Sequence, residues 1–584
     1  MQQQTKEFID NIITADKNEE KVTVLPLRCG LGKSTYIANR IIETVESDTT
    51  DGMIIVTDSI NRLREYVNMA DIVNKYQQHI MTMTADNINE AVKKQNFCKI
   101  LLMTTQRYFR LSQKEIMELT KWKNGRRTTI IFDEKPFIRE DRQLTIKDFN
   151  DVDSALEMGI DDDANQTDKS WCITEWRKLT EHIRQQMDDY ENLCEKDHFY
   201  LWHTDEWQSM TDDDARFTKF VEKNKNKIAT QKYTDAYRNI QHIRQIFTDG
   251  AIFSCHKRRS GAYFKCFTLM IDNRNKLTNL GAKVFVLDGS ADITPEYDAD
   301  YLDIIDCSAF DVPLNNLKID CVNINTSRNH IIGNTENSEA IQVIQKYIRE
   351  KCQNPTVFTY EDAEKHFTEY PTNHFGNIKG RNDYRECTEI VQVGLNRFPE
   401  LTYFLRTEAE DISMEILKSL SPEESIQAFE KIFSINKINN FLLEDTMMLS
   451  LLADIEQNLF RGVIRNIASQ EEMRYTIFFD TDNYAYLIDL LRERYGNKGA
   501  TINVIPTPME LQLSKKKNRN TTKETSTQRF LRWYEIQQSG RIFKTSEMRK
   551  ETGLSQDQFK EVKRSIPELI HRMKTTANGI YQIP

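Results

Sequence analysis

At 584 residues the chain is too long for one hydrophobic core, so roughly three or four domains are expected. Hydrophobic residues make up 39% and charged residues 29%, the balance of a soluble globular protein. No run nears the ~18 apolar residues of a membrane span, so no membrane partner is expected. The net charge of -10 hides an asymmetry: residues 515–584 hold 16 Lys/Arg against 7 Asp/Glu, whereas residues 151–215 hold 19 acidic and 5 basic residues. An acidic body with a basic tail implies that the tail meets something anionic. The start, Met1-Gln2-Gln3-Gln4, lacks the basic-then-apolar pattern of a secretory signal, so a cytoplasmic location is expected. The ten cysteines contain no C-x-x-C pair, and Cys255-His256 with Cys266 matches no familiar zinc spacing. Ordinary buried or free thiols are expected.

In chain order, Lys21 to Leu27 is a short β-branched run that leads into a glycine loop, and a helix follows from Ser34 to about Val45. Strands are predicted at Met53 to Thr57, Ile100 to Thr104 and Thr128 to Phe132. Apolar runs separated by helical stretches argue for a parallel sheet covered on both faces. From about Arg142 to Gly250 such runs disappear, and helical segments rich in charge and aromatics take over, with Trp171, Trp176, Trp202 and Trp207 among them. This reads as a mainly helical insertion. Its tryptophans read as core before base-stacking platforms, and its triplets Asp161-Asp162-Asp163 and Asp212-Asp213-Asp214 as solvated loops before metal sites.

The strand pattern returns at Ala262 to Leu269 and Lys283 to Leu287. A second α/β block follows, with strands near Asp320 to Asn325, Thr356 to Thr359, Thr476 to Phe479 and Thr501 to Ile505, interrupted by helices over roughly Phe404 to Ile455. Ser514 to Thr522 is a polar, basic linker, and the last residues form a compact unit.

Two features carry chemistry. Gly30-Leu31-Gly32-Lys33-Ser34-Thr35 comes straight after a strand and opens a helix, the context of a phosphate-binding loop. Glycines let backbone N–H groups approach phosphate, the helix N-terminus favours negative charge, Lys33 reaches the terminal phosphates and Ser34 can ligate Mg²⁺. The other reading is a solvated glycine turn. Asp133-Glu134 ends the apolar strand at Phe132, at the edge of a parallel sheet where ligands bind. There Asp133 would hold Mg²⁺ and Glu134 would orient and deprotonate a water.

With these residues the chain resembles superfamily 2 helicases of the DEAD/DEAH-related kind. Asp133-Glu134-Lys135-Pro136 is similar to the DExx box, and Ile54 to Leu63 looks like motif Ia, whose strand end grips a nucleic-acid backbone. Met103-Thr104-Thr105-Gln106-Arg107 sits where a second strand-contacting motif would lie, and Val286 to Asp292 resembles motif III. In the second block, Val357 to Tyr360 looks like motif IV, Gly376 to Asn382 like motif V and Gln457 to Arg465 like motif VI. Motif VI departs from the pattern: Phe460 replaces a glycine, and Arg465 lies four residues after Arg461. Either can be the finger, and the competing reading is an amphipathic helix with two exposed arginines.

The resemblance implies an α/β fold of two RecA-like P-loop NTPase lobes: residues 1–140 and 262–312 as lobe 1, 141–261 as the helical insertion, and 313–512 as lobe 2 with helices near 404–455. It implies ATP and Mg²⁺ as cofactors. It places Gly30, Gly32, Lys33, Ser34 and Thr35 on nucleotide, and Gln457, Arg461 and Arg465 across the lobe interface. Thr57, Arg62, Thr105, Gln106, Asn377 and Asn382 would lie on nucleic acid, DNA favoured over RNA. After a basic linker at 513–528, residues 529–584 read as a winged helix-turn-helix. Thr545 to Gly553 and Gln556 to Arg564 would be its helices, with Phe559 and Val562 inward, Lys560, Lys563 and Arg564 outward, and Asn578 to Tyr581 a turn and wing. Such a unit binds DNA or docks a protein, and the helical insertion is a second candidate protein-binding surface. The expected activity is ATP-driven translocation on and unwinding of DNA. The rivals are a DNA-binding replication initiator or regulator that uses ATP as a switch, and a duplex translocase that leaves strands paired.

Overall fold

In the computed structural model of the chain, the structure describes residues 2–68, 75–84, 87, 91, 93–159, 166–189, 198–202, 211–230, 232–257, 263–332, 339–378, 383–406, 417, 419–434, 437–511, 526–537, 540–566, 569, 573–577 and 580–583. Asp161 to Asp163, Trp207, Asn382, the linker from Ser514 to Thr522 and the turn Asn578-Gly579 lie outside the described residues. The chain divides into two compact units, Met1–Ile505 and Pro506–Pro584.

The first unit opens with a helix, Gln2–Ala15, and then lobe 1: β1 (Val22–Leu25), β2 (Asp51–Thr57), β3 (Ile80–Met83), β4 (Ile100–Thr104), β5 (Lys121–Trp122) and β6 (Gly125–Asp133). The insertion carries β7 (Arg139–Leu144), β8 (His198–Trp202), β9 (Ala251–Lys257) and β10 (Tyr263–Asp272), after which the chain rejoins lobe 1 with β11 (Lys283–Leu287) and β12 (Leu302–Ile304). The lobe 1 sheet runs β12-β1-β11-β6-β2-β4-β3, with β5 pairing β6. Its central strands are parallel and buried along their length, because helices cover both faces. The order puts β1 and β6 on either side of β11, so the glycine loop and the Asp133-Glu134 pair emerge at the same edge.

The insertion differs from its expected form. It holds a four-stranded antiparallel sheet, β7-β10-β9-β8, packed on the helices Ile146–Gly159, Gln166–Asp189, Thr211–Lys223 and Ala236–Asp249. The run from Ala262, expected to return to lobe 1, pairs antiparallel with β7 and β9 and so belongs to this sheet. β7 escapes a hydrophobic reading because Arg-Glu-Asp-Arg-Gln-Leu is charged and half-exposed at all but its last residues. Trp176 is fully buried in the insertion core and donates to Asp153 (2.8 Å), as a core tryptophan should. Cys255 and Cys266 are buried in β9 and β10, and Cys266 lies 3.1 Å from Ser254 Oγ.

Lobe 2 contains β13 (Leu317–Asn323), β14 (Thr356–Thr359), β15 (Thr372–His374), β16 (Glu389–Val393), the short hairpin of β17 (Phe433–Ser434) and β18 (Lys437–Ile438), then β19 (Met473–Phe479) and β20 (Thr501–Ile505). Its six-stranded sheet, β15-β14-β16-β19-β13-β20, is wholly parallel. The two lobes are thus RecA-like α/β layers. The helix Phe441–Leu459 packs on lobe 2 and ends just before Arg461.

The second unit comprises helix Ser526–Glu535, β21 (Ile542–Lys544), helices Thr545–Thr552 and Gln556–Ser565, then β22 (Lys574–Ala577) and β23 (Ile580–Gln582) in the order β21-β23-β22. Gly553 ends the first of the paired helices in left-handed backbone (φ 67°), and a Ser555–Gln558 capping box starts the next. Phe530, Met548, Phe559 and Val562 fill its core.

Candidate active site

β1 feeds a loop in which Gly30 (φ 95°) and Gly32 (φ 86°) both take left-handed backbone that side chains resist. Gly32 caps the helix Lys33–Glu46 without a side-chain hydrogen bond, so the first-turn N–H groups face outward as an anion site. Lys33 is buried at its start, whereas Thr35 is exposed.

At the end of β6, Asp133 is 2% exposed. Its Oδ2 accepts from the Tyr66 hydroxyl (2.6 Å) and from Arg62 Nε (3.0 Å). A second nitrogen of Arg62 donates to Ser34 Oγ, and Nη1 to Glu65 (2.8 Å). Although burial works against its charge, Asp133 and the neighbours hold Arg62 firmly protonated. Glu134 follows at φ 106°, one of two non-glycine residues with positive φ among the described residues, the other being Asn279. Such backbone costs about 1–3 kcal/mol and persists where the surroundings enforce it. Asp58, just past β2, belongs to the same cluster: burial, then Glu134 and Asp133, push its carboxyl up to about 6 against the pull of Arg62 and Arg461. Sequence reasoning passed over Asp58, although a carboxylate after a buried parallel strand is the signal that singled out Asp133.

Lobe 2 closes on this edge. The helix carrying Gln457 stops at Leu459, and a turn through Phe460, Arg461 and Gly462 leads into the short Val463–Arg465 helix. Arg461 is 8% exposed and lies beyond the helix end, which removes the reading of two exposed arginines on an amphipathic helix. A Cβ on Gly30 would collide with the carbonyl oxygen of Arg465, so the turn presses directly on the glycine loop. Arg28 donates to the Ile464 carbonyl (3.1 Å) and stacks on Phe460 (4.3 Å), which gives the phenylalanine in the glycine position a packing role. Burial lowers the Arg465 guanidinium, which Cys29 favours and Arg385, Arg461 and Arg62 oppose. Arg465 thus meets the loop through its carbonyl, Arg461 lies within electrostatic reach of Asp58, and Arg385, which the sequence did not single out, neighbours Arg465.

The lobes are also latched beside motif III. Arg494 bonds Asp292 of lobe 1 (3.0 Å) and Glu456 of lobe 2 (2.8 and 2.9 Å), and Tyr495 donates to Glu456 (3.0 Å). Asp288 accepts from Tyr297 (3.0 Å) and from Ser290 (3.1 Å). On the other side, Lys135 pairs with Glu296 (2.7 Å); burial raises that carboxyl, but Lys135 and Arg406 hold it below the usual value.

The donors fit the cofactors that the resemblance implies. Ser34 and Asp133 offer hard oxygens that already converge on one cationic group, as Mg²⁺ requires. Two guanidinium nitrogens of Arg28, beside the loop, are buried without a hydrogen-bond partner and leave donor capacity that suits a phosphate-bearing ligand.

The residues expected on nucleic acid scatter. Thr57 and Thr105 are buried: Thr105 Oγ1 donates to the Thr57 carbonyl (3.0 Å), and Thr57 Oγ1 to the Ser59 carbonyl (3.0 Å). Their hydroxyls join strand ends and offer nothing to a polymer. Arg62 turns into the Ser34–Asp133 cluster from its helix Ile60–Asn68, which packs on β2 and β4. Gln106 and Asn377 are exposed, with Asn377 Nδ2 bonded to Asn373 (2.9 Å). In the second unit Lys560 is exposed, but Lys563 donates to the Tyr581 hydroxyl (2.6 Å) and is not a free outward cation. The Arg564 side chain lies outside the described residues.

A cavity of about 790 Å³ lies between the insertion sheet (Gln143, Phe264) and the strand ends of lobe 2 (Arg328, Tyr360, Arg397, Phe398). Among the described residues no helix is long and apolar enough to cross a membrane.

No family model matches the chain, and no curated protein does. Among solved structures it is similar to an apo form of XPD (TM-score 0.45, 10% identity, 86% of this chain and 100% of that one) and to S. tokodaii Xpd4 (0.44, 11%, 86% and 99%). It is also similar to S. cerevisiae Dbp5 bound to RNA and ADP BeF3 (0.33, 8%, 85% and 89%). These likenesses are of fold.

Proposed function

We propose that the chain is a superfamily 2-type helicase that hydrolyses ATP between its lobes and uses the cycle to move on and separate DNA strands. One observation carries the reading: Arg62 bridges Ser34 and Asp133 of lobe 1, Glu134 follows Asp133, and the Arg461–Arg465 turn of lobe 2 seats its backbone on the adjoining glycine loop. Gly30, Gly32 and the helix N-terminus bind phosphate with backbone N–H groups, and Lys33 adds a positive charge. Ser34 and Asp133 hold Mg²⁺, which when bound neutralises phosphate charge. Glu134 orients a water and takes its proton, while Arg461 or Arg465 meets the charge that develops on the phosphoryl oxygens.

The polymer is placed in the cavity between the insertion sheet and lobe 2, because ligands of open α/β sheets bind beyond the carboxyl ends of the strands. Aromatic and cationic walls there suit a single strand. The second unit, read as a winged helix, adds duplex contact through Lys560 and Arg564.

The test is ATPase rate with no polymer, single-stranded DNA, duplex DNA and RNA in parallel, plus unwinding of a forked substrate. Glu134→Gln should bind ATP yet lose about 10²–10⁴-fold in rate. Hydrolysis at the wild-type rate would sink the assignment of the base. Strong polymer binding with no polymer-stimulated hydrolysis would favour the ATP-switch regulator.

A further inference from the structure

Glu134 is the proposed base, yet its backbone sits where a glutamate rarely goes, so something must hold it there. On its amino side Asp133 is fixed by Arg62 and Tyr66. On its carboxyl side Pro136 confines Lys135 to extended backbone, and the Lys135 ammonium reaches Glu296 at 2.7 Å. Glu296 sits in the short Pro295–Tyr297 turn, which the Tyr297 hydroxyl ties to Asp288 at the end of β11 (3.0 Å). The lysine is therefore anchored to a neighbouring strand end of the same sheet.

Glu296 has a second cation. Arg406, the last residue of the lobe 2 helix Glu400–Arg406, lies 3.9 Å from the same Glu296 oxygen and 3.2 Å from Asp141 of the insertion. Arg139 donates to the Arg406 carbonyl (3.3 Å), and the guanidinium stacks on Phe398 (4.7 Å). One buried carboxylate is thus shared between the residue that follows the base and an arginine from the other lobe.

We propose that Lys135 and Glu296 are positioning residues that hold Glu134 in its productive backbone, and that Arg406 makes this hold depend on the seating of lobe 2. The proposal rests on Glu134 being the base of ATP hydrolysis. Neither Lys135 nor Arg406 needs to touch nucleotide: each acts through Glu296. When lobe 2 is seated, Arg406 fixes Glu296, Glu296 fixes Lys135, and the peptide between Lys135 and Glu134 cannot relax. When lobe 2 withdraws, Glu296 keeps one partner and the turn gains freedom.

The experiment compares the full chain with Lys135→Met, Lys135→Arg, Arg406→Ala, Arg406→Lys and Glu134→Gln. It reads kcat and KM for ATP, equilibrium binding of a fluorescent non-hydrolysable ATP analogue, and thermal melting. Lys135→Met should lower kcat by about 10²-fold, the effect of a misplacement near 1 Å, with analogue affinity within about twofold. Lys135→Arg should restore most of it. Arg406→Ala should lower kcat less, about tenfold, and Arg406→Lys should rescue it. Wild-type kcat in Lys135→Met alongside an inactive Glu134→Gln overturns the positioning role and leaves the hydrolase reading intact. An active Glu134→Gln removes the hydrolase reading first. Parallel losses of kcat, analogue affinity and melting temperature in Lys135→Met would overturn the positioning role by showing a merely structural lysine, and failure of Arg406→Lys to rescue would overturn the dependence on lobe 2 seating.

Discussion

The two lobes share a plan but not a chemistry. In lobe 1, strands β1, β2, β6 and β11 end in a glycine loop, Asp58, Asp133-Glu134 and Asp288, so the edge is rich in acids and backbone donors. In lobe 2, strands β13, β14, β16 and β19 end near Asn325-Thr326, Tyr360, Gly394-Leu395-Asn396 and Asp480, an edge of amides, hydroxyls and rings. Among its described residues lobe 2 has no glycine loop of this kind, yet its Arg461–Arg465 turn meets the one in lobe 1. Under the proposed function the same sheet serves one lobe as a nucleotide holder and the other as a closing wall, and only the residues at the strand ends tell them apart.

The sharpest way to break this contrast is to remove lobe 2's contribution alone. Arg461→Ala and Arg465→Ala should each lower kcat, and the true finger by about 10³-fold, while analogue affinity changes less. Lys33→Ala, on lobe 1, should instead weaken binding itself. Full polymer-stimulated activity in both arginine variants would mean that lobe 2 merely packs against the site. A smaller effect is expected from the second unit. Removing residues 529–584 should weaken duplex binding and flatten its salt dependence by roughly 2 in slope, at about 0.9 per phosphate contact, because Lys563 is already engaged by Tyr581. An unchanged slope would assign that unit to protein docking.

The smallest effect concerns Asp58. Its carboxyl is pushed up to about 6 in the folded chain, chiefly by burial and by Glu134 and Asp133. A raised carboxyl binds its proton more tightly when folded, so its contribution to stability falls as pH rises through about 6 and recovers as pH falls. Asp58→Asn should therefore melt higher than the native chain at pH 7, with the gap closing towards pH 5. A gap that stays constant or widens on acidification would show that Asp58 is not strained by its neighbours.

What the sequence disclosed follows the same divide. The lobe 1 strands are legible because burial on both faces demands continuous apolar runs such as Ile54 to Val56 and Ile100 to Met103. β7 is not, since an antiparallel sheet with one wetter face tolerates charge, and Arg139 to Leu144 carries four charged residues, whereas β8 (His-Phe-Tyr-Leu-Trp) is a short apolar run passed over among charged neighbours. The glycine loop and Asp133-Glu134 announce themselves by position after strands. Arg62 does not: its spacing in the helix Ile60–Asn68 is as compatible with a solvent-facing grip on a polymer as with the Ser34–Asp133 bridge. Where the helix of motif VI stops is likewise set by packing, since a side chain on Gly462 would strike Met473 and the Cys387 carbonyl.

The contact between Gly30 and the Arg465 carbonyl has a mechanical corollary. A joint in which not even a methyl group fits works as a clearance gauge: it registers whether the Arg465 turn is seated on the loop. If ATP turns over between the lobes, as proposed, loading fuel and discarding spent product would part this joint, so the tightness of one glycine would set a rhythm of opening and re-engagement, as a clutch does. An alanine at position 30 would hold that clutch slightly disengaged.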